Sequence, residues 1–394
     1  MLSSVEPLST TTHSTFAGRS ADQYRRRGTA LLYVTVISDH VLGMMSRVPN
    51  STRRAVPRAQ GNETDRMSGT VCLAVYRPQA DLLRVQLESI RAQTLQDWEC
   101  LVGIDGTDPD ARAAVEQIVA EDRRFRVIEY PDNVGFYRNF ERLLAEVPAT
   151  SRWVALADQD DAWFSEKLAL LVPLLDGADL AFGQAVVVSH GGVDTSRTVT
   201  ERRSTTLAAA FIDNQVTGSI SVFRRSLLDI ALPMPDATDS AFHDHWLGVC
   251  ALAGNGVAVL PEPVQDYIQH SGNVIGEERR RTVADRLRAL AGRSGGGVGS
   301  GLDYLSAHRW RWRVNMATTL LSRQDGADAR GFVTAVAADR MSPALLRGVG
   351  GEILSRRVPP LRALGLLAGA WRSPRLRGAD AGRAEAARKP IAPE

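Results

Sequence analysis

The sequence predicts an α/β fold, with a mostly parallel sheet flanked by helices and a helical extension at the C-terminal end. Two observations predict it. From about residue 70 onward, short apolar runs alternate with segments whose apolar residues recur at helical spacing. Beyond Gly276 the spacing is helical only. Repeated strand–helix units imply right-handed crossovers, and therefore parallel pairing of the strands.

Four strands are predicted in the first half of this α/β region. The first apolar run covers residues 71–76 and ends before Pro78, as is typical of a strand buried on both faces. The other strands are predicted at residues 98–104, 125–130 and 153–157, and the helices between them at residues 82–93, 111–120 and 140–147. Ligands of such sheets lie beyond the carboxyl ends of the strands. We therefore expect a binding site in the polar loops at residues 105–110, 131–139 and 158–161.

The rest of the chain falls into three further parts. Residues 180–276 contain a predicted strand at 180–188, a strand-like segment at 214–224 and a helix at 244–253. Residues 1–68 are rich in Ser, Thr and Arg and show no period, so they are either a disordered extension or an untranslated stretch before a start at Met67. We expect an N-terminal extension (1–68), an α/β domain (69–276, with halves 69–179 and 180–276) and a basic helical region (277–394) with a disordered end at 379–394.

Charge is distributed unevenly, although the net charge is only +2. Residues 277–394 carry a local balance of +11, which leaves −9 for the remainder of the chain. A basic tail indicates an anionic partner, such as a membrane surface or a phosphate-bearing substrate.

The three cysteines are Cys72, Cys100 and Cys250, which are far apart and lack the CxxC spacing of zinc sites. They argue against a disulfide framework and for a reducing cytoplasm. No stretch reaches the ~18 consecutive apolar residues that a transmembrane helix needs. We therefore expect a cytoplasmic protein.

A group of three carboxylates follows the fourth predicted strand: Asp158, Asp160 and Asp161, with Trp163 close behind. Carboxylates this close repel one another, and a hard divalent cation relieves that repulsion. Mg²⁺ or Mn²⁺ also keeps positions open for phosphate oxygens, and so suits the departure of a nucleoside diphosphate. The alternative is a solvated acidic turn that caps a helix starting near Phe164.

Several short segments together carry a family resemblance. They are residues 74–76, 86–94, 97–99, 105–108, 158–163, 216–218, 223–226, 243–246 and 267–276. In this order they resemble the motifs of the family 2 glycosyltransferases with the GT-A fold, and among these the bacterial rhamnosyltransferase-like branch. The resemblance covers residues 70–276 and leaves both flanks uncovered. One departure is Arg77, where the family often has Asn.

The resemblance implies roles on the donor side. Asp105 would accept a hydrogen bond from the imide N–H of uracil or thymine; its alternative is a turn residue before Gly106. Asp158 and Asp160 would contact the ribose and the metal, and Asp161 the metal, with the direct ligand left open. The remaining residues that the resemblance places on the nucleotide sugar are Tyr76, Asn133, Arg138 and Trp163. For Asn133 and Arg138 an ordinary polar loop is the alternative.

The resemblance also implies roles on the acceptor side. Asp244 would be the general base, since inverting transfer needs a carboxylate opposite the leaving group. His243 would orient Asp244 or share its proton, and Trp246 would stack on a sugar ring. The alternative is an acid at a helix N-terminus with incidental histidines. His270 is either a metal or phosphate contact or a surface histidine.

These observations predict an inverting transferase that moves a hexose, rhamnose or a similar sugar, from a dTDP- or UDP-sugar to a cell-surface glycan or lipid-linked acceptor. A sugar nucleotidyltransferase of related fold is one alternative, but it needs a glycine-rich loop after the first strand and residues 77–80 contain no glycine. A non-catalytic glycan-binding relative is the other. A missing carboxylate at residue 244 or at 158–161 would favour this reading, and all are present.

Two basic segments lie in the C-terminal region. Residues 356–372 combine an apolar centre with flanking arginines, which suits either a helix at the inner face of an anionic membrane or a helix packed on the catalytic domain. Residues 309–313 alternate arginine and tryptophan, but no nucleic-acid module accompanies them, so we expect no nucleic acid partner.

Overall fold

The computed structural model describes residues 68–191, 194–269, 298–324 and 331–388, all within one compact unit that spans residues 61–394. Its strands are β1 (Gly69–Val75), β2 (Trp98–Ile104), β3 (Phe125–Glu129), β4 (Trp153–Ala157), β5 (Ala162–Trp163), β6 (Leu180–Gly191), β7 (Asp194–Val199), β8 (Ser221–Arg224) and β9 (Val257–Gln269). They form one sheet.

Helices cover the sheet and continue beyond it. Those of the α/β region are α1 (Ala80–Arg91), α2 (Pro109–Val119), α3 (Gly135–Ala145), α4 (Lys167–Leu171), α5 (Leu207–Ile212), α6 (Leu228–Ala231) and α7 (His243–Ala253). The C-terminal ones are α8 (Val298–Tyr304), α9 (Arg311–Arg323), α10 (Phe332–Ala337), α11 (Pro343–Leu354) and α12 (Pro360–Arg388), with a π-helical turn at Leu305–Trp310.

The strand order is β3-β2-β1-β4-β8-β6-β9-β5, with β7 paired to β6. The first four strands are parallel, whereas β8 runs antiparallel to both β4 and β6. The sheet is therefore mixed beyond β4, where a mostly parallel one was predicted. Its parallel half and its flanking helices confirm the predicted α/β class.

The predicted strands and helices of the first half agree with the structure to within a few residues. β1 and β4 lie at the centre of the sheet and are almost wholly buried, which explains their continuous apolar runs. The helix predicted at 140–147 begins earlier, at Gly135, whose φ of 79° suits glycine at this entry to the helix. All three cysteines are free and buried.

The second half of the α/β region, residues 180–276, differs more from the prediction. β6 extends to Gly191 and forms a hairpin with β7, which was not predicted. The segment at 214–224 is a strand only from Ser221, because a 3₁₀ turn at Gly218–Ile220 precedes it.

The C-terminal helices pack with their own tryptophans inside. Trp310 and Trp312 are both fully buried, so the arginine–tryptophan segment belongs to the core. α12 packs through Ala363, Leu366 and Ala370, whereas Leu361 on its opposite side is 41% exposed. Residues 379–388 continue this helix, and the predicted disorder of the C-terminal end stays a prediction.

Some predictions concern residues outside the described part of the chain. They are the alternatives for residues 1–67, the role of His270 and the disorder of residues 389–394. No helix in the described part of the chain has the length and apolar content to cross a membrane.

Candidate active site

The predicted polar loops meet at the carboxyl ends of the parallel strands. Tyr76 follows β1, Asp105 follows β2 and residues 158–161 follow β4, the neighbour of β1. The sheet order β3-β2-β1-β4 therefore brings the three loops to one edge, as expected for this class of sheet.

Gln159, between the carboxylates, ties two of these loops together. Its Oε1 accepts a hydrogen bond from the Tyr76 backbone N–H at 2.8 Å, and its Nε2 donates to the Tyr76 carbonyl at 3.0 Å. The amide group thus pairs with the backbone as a neighbouring strand would. The sequence analysis missed this role, since a single glutamine in an acidic loop carries no local signal.

Arg77 adopts a backbone conformation that asparagine tolerates well. Its φ is 43°, in the left-handed region, where Asn is enriched among non-glycine residues. This explains physically why an Asn at this position suits the loop. The Arg77 guanidinium lies 5.1 Å from the centre of the half-exposed Tyr76 ring.

Asp158 and Asp160 are the half-buried carboxylates of the loop. Burial raises the pKa of Asp158 to about 7, and the negative charges of Asp160 and Asp244 add to the rise. A hydrogen bond with the Ser219 hydroxyl works in the opposite direction. Asp160 and Asp244 are therefore both near enough to Asp158 for their charges to act on it.

Asp161 lies beneath this loop in a buried polar network. Its Oδ2 accepts a hydrogen bond from Gln265 Nε2 at 2.6 Å, while Gln265 Oε1 accepts one from Lys167 Nζ at 2.7 Å. Lys167 also donates to the Ser219 carbonyl. Burial raises the pKa of Asp161 and lowers that of Lys167, while the opposite charge of each counters the shift of the other.

This network gives Asp161 a different position from its neighbours. The residue has no exposed surface, and its Oδ1 has no hydrogen-bond partner within the described residues. Asp158 and Asp160 are consequently the two carboxylates of the loop that a ligand can reach. Lys167 and Gln265 carried no signal in the sequence, because each is an isolated polar residue in an apolar surrounding.

The residues present fit a divalent cation only in part. The described segments contain no group of three or more His, Cys, Asp or Glu side chains arranged to hold a metal. Mg²⁺, however, is usually held by one or two carboxylates together with substrate phosphates. Asp158 and Asp160 match that pattern, and the raised pKa of Asp158 indicates that a positive charge between them would be stabilising.

The Asp105 carboxylate already accepts hydrogen bonds from groups within the protein. Its Oδ1 and Oδ2 accept hydrogen bonds from the backbone N–H groups of Val134 and Gly135, both at 2.9 Å, at the start of α3. Arg142 Nη2 lies 2.6 Å from Oδ1. Only 3% of the residue is exposed. A base contact at Asp105 stays a prediction, and it would use lone pairs left over from these bonds.

The other residues predicted to bind the donor differ in their exposure and in their contacts. Tyr76 and Asn133 are exposed at the site edge, and Asn133 lies against the Asp105 carbonyl. Arg138 forms an ion pair with Glu141 on the same helix. Trp163 is buried, with Lys167 Nζ 3.5 Å from its ring centre, so the structure gives it a packing role and no open face for a donor.

Asp244 lies in the first turn of α7 and is held by Asn214 and Gly218. Asn214 Nδ2 donates to its Oδ1, and the Gly218 backbone N–H donates to its Oδ2, both at 3.2 Å. Burial raises its pKa to about 6, despite the backbone hydrogen bonds that stabilise the ionised form. A carboxylate with such a pKa is ionised at neutral pH and basic enough to accept a proton.

His243 is a neutral packing residue. Its ring stacks on Phe140 with centres 3.9 Å apart, and burial lowers its pKa to about 3. Its Nδ1 has no hydrogen-bond partner among the residues described. The predicted role of His243, to orient Asp244 or to share its proton, stays a prediction. A Cβ at Gly218 would lie 2.8 Å from His243 Nε2, which explains the glycine there.

Trp246 does not have the exposed position that the predicted stacking on a sugar ring requires. It is fully buried and its indole N–H donates to the Ala231 carbonyl at 2.8 Å, so it cannot stack on a sugar. The neighbouring His245 is buried too, with Nε2 2.8 Å from the Ala210 carbonyl and Nδ1 accepting from Trp312 Nε1 at 3.2 Å.

The C-terminal helices hold the segment that positions Asp244. Arg362 of α12 pairs with Asp213, which directly precedes Asn214. Arg313 donates to the Phe211 carbonyl at 3.0 Å, and Thr206 donates to Glu352 at 3.0 Å. Arg362 and Asp213 are 149 positions apart in the chain, and no local pattern in the sequence indicates their contact.

Comparison with known proteins gives a family match over the region just described. Residues 70–230 match the family model described as glycosyl transferase family 2. Over 108 residues the chain is 33% identical to the uncharacterized protein y4gI of Sinorhizobium fredii (strain NBRC 101917 / NGR234), which covers 27% of this chain and 12% of that protein. Over 104 residues it is 38% identical to the succinoglycan biosynthesis protein ExoW of Rhizobium meliloti (strain 1021), covering 25% and 31%.

Among solved structures, the mannosyltransferase PcManGT from Pyrobaculum calidifontis, in complex with GDP-Man and Mn²⁺, aligns with a TM-score of 0.41. The identity is 18%, over 89% of this chain and 96% of that one. This structural likeness is weak, so the family assignment rests on the match over residues 70–230. The chain spans less than a third of the length of either curated relative.

Proposed function

We propose, from the premise that residues 70–230 are a glycosyltransferase domain of family 2, that the protein is an inverting glycosyltransferase. It moves a hexose, rhamnose or a similar sugar, from a dTDP- or UDP-sugar to a cell-surface glycan or lipid-linked acceptor. The related protein ExoW is named for succinoglycan biosynthesis, which supports a polysaccharide product.

The observation that carries this proposal is the 3₁₀ turn at Gly218–Ile220, which contacts both carboxylates. Its Gly218 N–H donates to Asp244 Oδ2 at 3.2 Å, and its Ser219 hydroxyl bonds Asp158, so Asp158 and Asp244 flank one turn although they lie on different halves of the domain. One half carries the carboxylates for the donor, and the other carries a carboxylate held by Asn214 and Gly218. Inverting transfer needs this arrangement of leaving group and base.

Asp244 takes the proton of the attacking hydroxyl. As the bond between the acceptor oxygen and the anomeric carbon forms, the bond from that carbon to the diphosphate oxygen breaks, and the configuration inverts. The hydrogen bonds from Asn214 and Gly218 keep the carboxylate oriented throughout. The raised pKa of Asp244 makes it a stronger base than an exposed aspartate.

Asp158 and Asp160 would hold the divalent cation, Mg²⁺ or Mn²⁺, together with the donor. When bound, this cation neutralises the charge that develops on the departing nucleoside diphosphate. Asp161 supports the loop from below through Gln265. Tyr76, held by Gln159, borders the donor pocket, and Asn133 closes it beside Asp105.

The C-terminal region supplies a surface for peripheral contact with the inner face of the cell membrane. Leu361 and Leu364 are 41% and 59% exposed on α12, and Trp371 is half-exposed on the same side of that helix. Arg356 and Arg357 are exposed just before it. Apolar side chains beside arginines suit an anionic lipid surface, and such contact would bring the enzyme to a lipid-linked acceptor.

A donor screen tests the proposed function. The full chain is incubated with a panel of nucleotide sugars and Mn²⁺, and release of nucleoside diphosphate is measured. We expect consumption of one dTDP- or UDP-sugar, loss of turnover with EDTA, and loss of transfer in Asp244→Asn with nucleoside diphosphate binding retained. Asp229→Asn, an exposed aspartate on α6, is the matched control. Full activity in Asp244→Asn would refute the base assignment, and no turnover with any donor would refute the proposal.

A further inference from the structure

The buried side chain of Gln184 holds the backbone of Arg202 from both sides. Its Nε2 donates to the Arg202 carbonyl at 2.8 Å, and its Oε1 accepts from the Arg202 N–H at 2.8 Å. The same oxygen accepts from the Thr200 hydroxyl at 2.9 Å. A buried amide used in this way fixes the path of a loop that would otherwise be free to vary. The loop at residues 200–204 therefore presents its side chains from a defined backbone.

This loop lies at the edge of the sheet that carries the active site. Phe182 of β6 is paired with Ser221 of β8, and Gln184 lies two residues further toward the carboxyl end of β6. The 3₁₀ turn with Ser219 precedes β8 at that same edge, and its hydroxyl bonds Asp158. Gln184 thus holds the loop at the same edge of the sheet as the catalytic carboxylates.

The side chain of Arg202 acts on the acceptor side of the site. It is half-buried, and its positive charge is close enough to Asp244 to lower the pKa of that carboxyl, against the larger effect of burial. Arg202 therefore lies on the same side of the site as Asp244.

An open cavity of about 630 Å³ adjoins the loop. Arg202 and Arg203 line it together with Ser204, and Val259 and Pro261 of β9 form its apolar side. Glu201 is an acidic side chain in the same lining. The volume lies within the range of ordinary ligand pockets. Two arginines and a hydroxyl provide the donors that phosphate oxygens accept.

We propose that Arg202, with Arg203 beside it, forms a subsite for a phosphate group on the acceptor, next to the hydroxyl that attacks the donor. The proposal rests on the proposed function, because Asp244 identifies the acceptor side of the site. It names the acceptor class as an anionic one: a phosphate-bearing glycan or lipid phosphate. The donor's own diphosphate is the other source of the same chemistry.

Phosphate binding is tested on the full chain with inorganic phosphate as the probe. The site of the donor is first saturated with UDP and Mg²⁺, and phosphate affinity is then measured from ³¹P line widths. Loss of a charged hydrogen-bond donor should weaken phosphate binding about tenfold in Arg202→Gln. Gln184→Ala, which keeps both arginines but frees the loop, should weaken it in the same direction. Arg84→Gln on α1, an exposed arginine beside Glu88, is the matched control and should change nothing.

The outcomes separate the possible explanations. Unchanged phosphate affinity in Arg202→Gln and in Gln184→Ala would overturn the subsite. A loss of UDP affinity in Arg202→Gln, with phosphate affinity intact, would assign Arg202 to the leaving diphosphate and overturn the acceptor assignment. Phosphate binding requires no turnover, so wild-type protein that binds phosphate through Arg202 but consumes no donor would count against the proposed function alone.

Discussion

The side chain of Gln159 pairs with the backbone of Tyr76 through two hydrogen bonds, at 2.8 and 3.0 Å. This contact joins the loop after β1 to the carboxylate loop after β4, although the two are over 80 residues apart in the chain. The contact joins Tyr76, at one border of the proposed donor pocket, to the loop that carries Asp158 and Asp160.

Gln159→Ala should weaken donor binding and leave the stability of the fold almost unchanged. The substitution removes two partly exposed hydrogen bonds, each worth about 1 kcal/mol, so KM for the donor should rise about tenfold. Because no core packing is lost, the midpoint of thermal unfolding should stay close to that of the wild type. Steady-state kinetics and a thermal melt measure both. Gln117→Ala, on the exposed surface of α2, is the control; an equal KM in the two variants would contradict the role of Gln159.

The rate of transfer should follow the ionisation of Asp244. Its pKa is raised to about 6 by burial, and only the ionised form accepts a proton. The rate should therefore fall about tenfold per pH unit below pH 6 and reach a plateau above it. A profile of kcat against pH at saturating donor measures this. An acidic limb near pH 4, as for an exposed aspartate, would show that the base is not a buried carboxylate.

The raised pKa of Asp244 also affects the stability of the folded protein, and this effect provides a control for the loss of transfer. A carboxyl whose pKa rises from 3.8 to about 6 on folding costs stability as the pH rises through that interval, because the folded state disfavours the charge. Asp244→Asn removes this cost. The inactive variant should consequently be at least as stable as the wild type at pH 8, so loss of transfer cannot be ascribed to unfolding.

Trp312→Phe should destabilise the whole chain. It removes the hydrogen bond to His245 Nδ1 and leaves a buried acceptor and a small cavity, with an expected cost of about 2–4 kcal/mol. Urea unfolding followed by far-UV circular dichroism measures it. Trp371→Phe, at a half-exposed position on α12, should cost much less. Equal losses in the two variants would show that the C-terminal helices do not support α7.

Replacing Leu361 and Leu364 by serine should reduce binding to vesicles of phosphatidylglycerol and phosphatidylcholine. Each leucine contributes about 1.5–3 kcal/mol when it is fully buried from water, so even partial insertion implies a loss of about tenfold in binding. Hydrolysis of a soluble donor should not change, since neither side chain contacts the active site. Leu170→Ser, equally exposed on α4, is the control. Unchanged sedimentation with vesicles in the double variant would indicate that α12 is only a packed helix.

The parts of the molecule that could be predicted from sequence share one physical property. β1 and β4 are buried on both faces, so each reads as an uninterrupted apolar run, and the loops that follow them collect at one edge for topological reasons. The carboxylates at 158–161 stand out in the sequence for the same reason, because they follow an apolar strand, whereas Asp244 was predicted from the family resemblance.

What could not be predicted depends on which way single side chains point. Trp246 and Asp244 lie two residues apart on α7, yet a helix turns by about 100° per residue, so one faces the core and the other the site. Lys167 and Gln265 are joined to each other, to Asp161 and to Ser219 by hydrogen bonds that span almost a hundred residues. Arg362 reaches Asp213 through tertiary packing of α12, which no sequence period encodes.

Binding of Mn²⁺ tests most directly whether the carboxylate loop holds a cation together with the donor. Free Mn²⁺ is followed by electron paramagnetic resonance as it is titrated into the protein with and without UDP or dTDP. We expect tight binding only when a nucleoside diphosphate is present, and a loss of about tenfold or more in Asp158→Asn and Asp160→Asn. Asp176→Asn, an exposed aspartate outside the loop, should behave as wild type. Mn²⁺ affinity that is independent of both the nucleotide and these two carboxylates would contradict the account.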